Sequence, residues 1–254
     1  MEDPAIAVEA NEAEFLLTLG RTGGGEERDE PEITWTIGGS PIAYHNCVVR
    51  ADLTPAAADA AIVASQELMR TKSVPGSWHV GPSMRPADLG ERLVGHGFEG
   101  GPEPGMVADL PEIPDVGRPA GLVVETADLR AYEQVLAAGF GEGPKEAAWV
   151  CEMYRRLGDD PSWRHYVGRL DGEPVATATL FFAASVAGIY FVCTTPAFRG
   201  RGIGTAISRD AMLAARELGY ATAVLGSSPM GQRVYERLGF REVCTVDVYE
   251  WSPD

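Results

Sequence analysis

The sequence predicts an α/β (α+β) chain made of two similar halves, and three observations predict it. Stretches with strand-like and helix-like periodicity alternate along the 254 residues. Their order repeats: Glu91-Arg92-Leu93-Val94-Gly95-His96-Gly97-Phe98 lies between two short strand-like stretches, and Arg233-Val234-Tyr235-Glu236-Arg237-Leu238-Gly239-Phe240 lies between two others. Between the halves, the run from Pro111 to Pro119 carries three prolines and reads as a linker, which puts domains at 1–115 and 120–254.

The first half opens with a helix over roughly Ala10 to Gly20, with Phe15, Leu16 and Leu19 on one face. The charged, glycine-rich run Gly23 to Pro31 reads as a mobile loop. A hairpin is expected at Ile33 to Ile37 and Ala43 to Val49. Ala56 to Met69 reads as a helix that Thr54 caps and Pro55 starts. Trp78 to Gly81 and Gly105 to Leu110 read as strands, with a short helix at Asp88 to Val94, and Gly100 to Gly105 reads as a loop.

In the second half a strand is expected at Leu122 to Glu125. Asp128 can cap a helix from Leu129 to Ala138, and Pro144 can open another from Lys145 to Leu157. Asp171-Gly172 closes a hairpin of Trp163 to Leu170 with Pro174 to Ala183. His165 lies on its first strand, where a structural role is expected. The chain then returns by way of Ala187-Gly188 to the strand Ile189 to Thr194. A helix with Ile203, Ile207, Ala211, Ala214 and Leu218 at helical spacing follows, then the strand Ala221 to Gly226, a helix from Met230 to Leu238 and the strand Val243 to Trp251.

Composition excludes several classes. An apolar share of 45% with 23% charged residues belongs to a soluble globular chain. The formal charge of -16 leaves little that is basic to replace the counterions of a nucleic acid, so none is expected as a partner, whereas a cationic ligand suits the field. Cys47, Cys151, Cys193 and Cys244 have no metal-ligand spacing, and no metal is expected. With no leader-like N-terminus and no long apolar run, a cytoplasmic protein that avoids membranes is expected.

The stretch Phe191 to Ala206 carries the chemistry. A β-branched strand stops at Pro196, three alternating glycines follow, and a helix begins. Glycines that gather bare backbone N–H groups at a helix N-terminus form an anion site. A P-loop is excluded because the loop holds no lysine. A dinucleotide fingerprint is excluded because its third glycine would come one residue later, and no carboxylate ends the strand Ala221 to Gly226. A ligand-free turn remains the alternative.

Arg199-Gly200-Arg201-Gly202-Ile203-Gly204 fits Arg/Gln-x-x-Gly-x-Gly/Ala. In its setting after a strand and proline, it resembles the coenzyme A pyrophosphate loop of the GNAT acyltransferases. The resemblance runs from Leu122 to Trp251 and is weaker before Pro111. At the equivalent place the first half offers Arg50-Ala51-Asp52-Leu53-Thr54-Pro55-Ala56, with no glycine and with a carboxylate that would repel phosphate. The chain therefore resembles tandem GNAT proteins with a degenerate first half.

The resemblance implies two GNAT-like domains, each a mixed, mostly antiparallel sheet flanked by helices with a splayed central strand pair. It implies acyl transfer, from acetyl-CoA in the commonest case, to the amine of a small molecule by direct attack. Val192, Cys193 and Thr194 are the edge for the pantetheine, with Leu225 to Ser227 as the splayed partner. Arg199, Gly200, Arg201, Gly202, Ile203, Gly204 and Thr205 bind the pyrophosphate. Ser228-x-x-Gly231-x-x-x-Tyr235 is similar to the family's Asn-x-x-Ala-x-x-x-Tyr, which makes Tyr235 the acid for the thiolate and puts Ser228 where the family has asparagine. The helical pair would wall the acceptor site with Trp149, Glu152 and Met153 as substrate contacts, and Glu152 acting through water is the candidate base. A monomer or homodimer is expected, and a non-catalytic module that binds coenzyme A is the alternative.

Overall fold

The computed structural model describes residues 3–253. The chain divides into two compact units, and neither is continuous in sequence. One unit comprises Met1–Asn11 and Gly105–Val243, and the other comprises Glu12–Pro104 and Cys244–Asp254. These bounds differ from a cut at 115–120: residues 1–11 and 105–115 join the later half, and residues 244–254 join the earlier one.

Strand pairing is the reason. In the unit with the glycine loop, Gly105–Asp109, the end of β5 (Glu99–Asp109), pairs antiparallel with all of β10 (Thr222–Gly226), from Gly226↔Gly105 to Thr222↔Asp109. In the other unit, Asp247 to Trp251 of β11 (Arg241–Trp251) pair antiparallel with β4 (Gly76–Val80). Periodicity marks each strand but does not say which neighbour it joins.

The unit around Glu12–Pro104 holds the end of α1 (Pro4–Thr22), then β1 (Glu26–Glu30), β2 (Ile33–Ile37), β3 (Cys47–Ala51), α2 (Pro55–Lys72), β4, α3 (Leu89–Gly95) and the start of β5. Here three expectations are corrected. The charged run read as a mobile loop contains β1, paired with β2 from Glu26↔Ile37 to Glu30↔Ile33. Its side chains are mostly exposed, as an edge strand allows, and Arg28 lies over the Trp35 ring at 5.0 Å. Ala43–His45 forms a 3-10 turn, so β2 pairs on its other side with Cys47–Ala51 and not with Ala43. Gly100, read as loop, lies in β5, where an added Cβ would run into the Val248 carbonyl oxygen. Only glycine admits so close a neighbouring backbone. Trp78, Ile62, Met69, Leu93 and Phe98 centre the core.

The unit of Gly105–Val243 orders its strands β6 (Leu122–Thr126), β7 (Trp163–Leu170), β8 (Glu173–Ala183), β9 (Val186–Thr194), β10, β5. Helices α4 (Leu129–Gly139), α5 (Pro144–Leu157), α6 (Ile203–Glu217) and α7 (Gln232–Glu236) flank the sheet. Asp128 caps α4 by accepting from Ala131 N at 2.8 Å, and Pro144 starts α5, as expected. The hairpin of β7 and β8 turns at Asp171-Gly172, whose φ of 52° and 88° fit a two-residue turn. The next reversal comes at Ala184-Ser185, also left-handed, so that Ala187-Gly188 belongs to β9.

Both units contain a parallel pair that is bonded at only two positions. In one, Cys47↔Ser77 and Val48↔Trp78 join β3 to β4. In the other, Ala223↔Ala187 and Val224↔Gly188 join β10 to β9. In each a helix, α2 or α6, connects the two strands, and an antiparallel hairpin precedes the first of them. This shared order is the tandem repeat.

Candidate active site

After β9, Pro196–Phe198 make a 3-10 turn that leads into the glycine loop. Gly200 and Gly202 are left-handed, with φ of 75° and 79°. Space is not what selects glycine here: a Cβ at Gly200 would meet nothing within 4 Å, and one at Gly202 only Pro119 at 4.0 Å. Backbone conformation selects it, since other L residues lose about 1 kcal/mol or more in this region. Gly202 is the N-cap of α6 and offers no side-chain cap, so the first-turn amides after it have neither an intrahelical partner nor a capping side chain. Alternating left-handed residues before an uncapped helix form a concave nest of N–H groups, and the residues fit a pyrophosphate.

The arginines of the loop serve it as braces. Arg199 donates from Nε to Thr194 O at 3.0 Å and from Nη2 to Gly139 O at 2.8 Å. Arg201 donates to Ala197 O at 3.2 Å and lies over the Phe198 ring. Ile203 is buried in the core with Ala206 and Ile207, while Thr205 is nearly buried and Gly204 lies against Thr194. At the matching helix end of the other unit, Thr54 accepts from Ala57 N at 3.3 Å and Pro55 brings no N–H, so α2 closes its own N-terminus.

Beyond Gly188↔Val224 the ladder between β9 and β10 stops, so the two parallel strands splay apart. Cys193 and Thr194 keep their pairing to β8 on the other side, with Cys193↔Thr177 and Thr194↔Ala176, while Val192 falls in a slip of that register. Sequence reasoning missed Phe191. It has φ 49°, and the register between β8 and β9 slips beside it, between Thr177 and Thr179. A non-glycine residue in that region within a strand marks a bulge, which turns a backbone N–H out of the ladder. Thr177 donates to Phe191 O at 2.9 Å and holds the bulge. No glycine or proline signals it in the sequence. Burial pushes the Cys193 thiol up to about 11, so it stays protonated and is no nucleophile at neutral pH.

Tyr235 is 8% exposed and packs edge-on against Phe240 with centroids 5.7 Å apart. Burial raises its hydroxyl above the usual phenol range, so it keeps its proton at neutral pH. A Cβ on Gly231 would stand 3.0 Å from the Tyr235 ring, which explains the small residue there. Ser228 is used within its own turn: its carbonyl accepts from Gly231 N at 2.9 Å and its Oγ from the same amide at 3.3 Å.

The structure separates the three expected substrate contacts. Met153 is buried, Trp149 half-buried, and Glu152 lies beside Arg155 and Arg156, at 3.6 and 3.0 Å, on the outer side of α5. Its carboxylate is thus paired away from the strands, and the structure does not bring it to the loop. The sheet-facing side of α4 and α5 instead presents Tyr132 and Tyr154, whose hydroxyls meet Thr179 Oγ1 of β8 at 2.7 and 3.1 Å. His165 of β7 meets the same oxygen through Nδ1 at 3.0 Å and stacks on Tyr154 at 3.7 Å. Tyr154 also touches the Phe191 ring.

Burial, helped by Arg164, lowers the His165 imidazole from 6.5 to about 4. Between those values the unfolded chain binds more protons than the folded one, so stability rises with pH through this window. The contribution is full above about pH 6.5 and is lost as the pH falls towards 4, on the order of 3 kcal/mol. His165→Phe should therefore flatten the pH dependence of unfolding free energy across this window. Denaturant titrations of both proteins on either side of the window check it, and an unchanged slope would show a solvated ring.

Among the described residues no group of three or more His, Cys, Asp or Glu converges as a metal site needs, and no helix is long and apolar enough to cross a membrane. The glycine nest follows β9, which splays from β10 on one side and carries the Phe191 bulge against β8 on the other. Residues 129–240 match the model of the acetyltransferase (GNAT) family, and this half of the chain is a GNAT domain. The whole chain is similar to a GCN5-related N-acetyltransferase from Kribbella flavida, with 19% identity over 100% of this chain and 96% of that one and a TM-score of 0.75. A GCN5-related N-acetyltransferase from Sphaerobacter thermophilus shares 19% identity over 75% and 66%, with a TM-score of 0.60. A tandem GNAT protein from the clavulanic acid biosynthesis pathway shares 15% over 87% and 79%, with a TM-score of 0.56. At such identities these likenesses establish the fold. No curated protein matches the sequence.

Proposed function

We propose that the protein is an N-acyltransferase that moves an acetyl group from acetyl-CoA to the amine of a small molecule by direct attack. The observation that carries this reading is the uncapped N-terminus of α6 behind Gly200 and Gly202, set at the end of a strand pair bonded at only two positions. The amides bind the pyrophosphate, and the edge Val192 to Thr194 pairs with the pantetheine. The bulge at Phe191 supplies an N–H to polarise the thioester carbonyl. The free amine attacks that carbon, the C–S bond breaks as Tyr235 gives its proton to the departing thiolate, and the proton shed by the new amide nitrogen passes to solvent, from which Tyr235 regains its own. The other unit, whose matching helix end is closed by Thr54 and Pro55, holds no coenzyme A on this reading.

Burial of Tyr235 against Phe240 favours a second reading, in which the protein binds coenzyme A without turning it over. Turnover by the wild type separates the two, and Tyr235→Phe, which keeps the packing and removes the acid, then tests the hydroxyl's part. With acetyl-CoA and a panel of amines, kcat should fall about 10²-fold while coenzyme A affinity is unchanged. Wild-type kcat in the variant would take Tyr235 out of the mechanism.

A further inference from the structure

The network around Thr179 has no assigned part in acyl transfer, although one of its members touches the bulged residue. Thr179 Oγ1 can give one proton and accept two, and it has three partners: Tyr132 at 2.7 Å, Tyr154 at 3.1 Å and His165 Nδ1 at 3.0 Å. Both phenols are fully desolvated and keep their protons. If each donates to Oγ1, both lone pairs are filled, and the Thr179 proton goes to Nδ1. That arrangement satisfies all four groups at once. The reverse, with Thr179 donating to a phenol, leaves that phenol's own buried proton to turn to the other phenol, and costs about 1–3 kcal/mol where that bond is not made.

The imidazole, in a residue that is half-buried overall, then carries its single proton on Nε2. Around it stand Tyr132 from α4, Tyr154 from α5, and Trp163 and Arg164 from its own strand. The same ring of Tyr154 that stacks on His165 meets Phe191 edge-on, with centroids 6.3 Å apart. His165 is therefore one aromatic ring away from the bulge.

We propose that His165, fixed by Thr179 as a neutral imidazole with its proton on Nε2, reads the acceptor by donating a hydrogen bond to a carbonyl or carboxylate oxygen carried by the amine substrate. It selects the acceptor and does not take the amine's proton, because Nδ1 is held by Thr179 and Nε2 is already protonated. The acceptor class is an amine with a carbonyl-type oxygen near its nitrogen, such as an amino acid or amino acid amide. This rests on the acyltransferase reading.

The test has two parts. Long-range ¹H–¹⁵N spectra of the full-length protein, with the His165 signal among the four histidines assigned by its loss in His165→Gln, should show a neutral ring protonated at Nε2 at neutral pH. A proton on Nδ1, or an imidazolium, overturns the proposal. Acetyl transfer from acetyl-CoA is then measured for glycinamide against ethylamine and for β-alanine against propylamine. The wild type should prefer the oxygen-bearing member of each pair. His165→Phe should lower that preference about tenfold or more, while His165→Gln, which keeps a donor, retains part of it. Preference unaffected by His165→Phe, or failure of every oxygen-bearing amine, counts against the proposal. Coenzyme A titration on the same samples keeps the two readings apart: loss of binding in the wild type sinks the acyltransferase reading, whereas intact binding without selectivity sinks this inference alone.

Discussion

Gly202→Asp should abolish coenzyme A binding and leave the protein folded. The position has room, since an added Cβ would find only Pro119 at 4.0 Å. Its φ of 79° costs a side chain about 1 kcal/mol, less for Asp or Asn than for most residues. The large effect is electrostatic. A carboxylate at the N-cap faces the same amides and the same dipole end that a phosphate would use. At about 4 Å, one unit charge opposes another by about 4 kcal/mol at an effective dielectric near 20, close to a thousandfold in affinity. Gly202→Ala carries the conformational cost without the charge and should weaken binding only a few-fold. Calorimetric titration of the wild type should give one site per chain, and Gly202→Asp none. Two sites of similar affinity would mean that the N-terminus of α2 binds as well, although Thr54 and Pro55 close it.

What could be read from the sequence follows from which interactions are local. The helices α2, α4 and α5 begin where Thr54, Asp128 and the prolines say they should, because capping is settled within four residues. The Asp171-Gly172 hairpin and the Gly200-x-Gly202 nest are legible for the same reason: each needs left-handed backbone that its own residues supply. Features that depend on a distant partner were not legible. Glu26 to Glu30 is missed for a different reason, since its partner Ile33–Ile37 is close in sequence but its own side chains are solvated like those of a loop. Gly100 looks like a loop residue because the backbone that crowds it, at Val248, is far away in sequence. The left-handed Phe191 has no local signature, and Thr179 looks like any strand threonine until Tyr132, Tyr154 and His165 are seen on it.

A fragment that begins at Gly121 should fail to fold, although it contains every residue of the glycine loop and Tyr235. Sequence alone suggests that such a piece would stand by itself and lose only some stability. In the structure its unit also needs β5: Met106, Ala108 and Leu110, each at most 3% exposed, pack with Leu225, Met212 and Phe240 in one core. Deleting Met106 and Leu110 removes two large side chains of a kind whose truncation costs about 2–5 kcal/mol each. That sum approaches the whole stability of an ordinary domain, about 5–15 kcal/mol. The deletion also bares β10 along its full length as an apolar edge strand, which invites aggregation. The α6 helix loses its ties as well, since Arg209 bonds Pro114 O at 3.0 Å and pairs with Asp115, and Asp210 pairs with Arg118. Expression of residues 121–254 should therefore give insoluble or molten protein by circular dichroism and size exclusion, with no coenzyme A binding. Co-expression with residues 1–120 should recover both solubility and binding, because the missing strand and linker are then supplied in trans. A soluble 121–254 fragment that binds coenzyme A as the full chain does would show that β5 contributes little to this core, and the unit boundary would have to be redrawn at the linker.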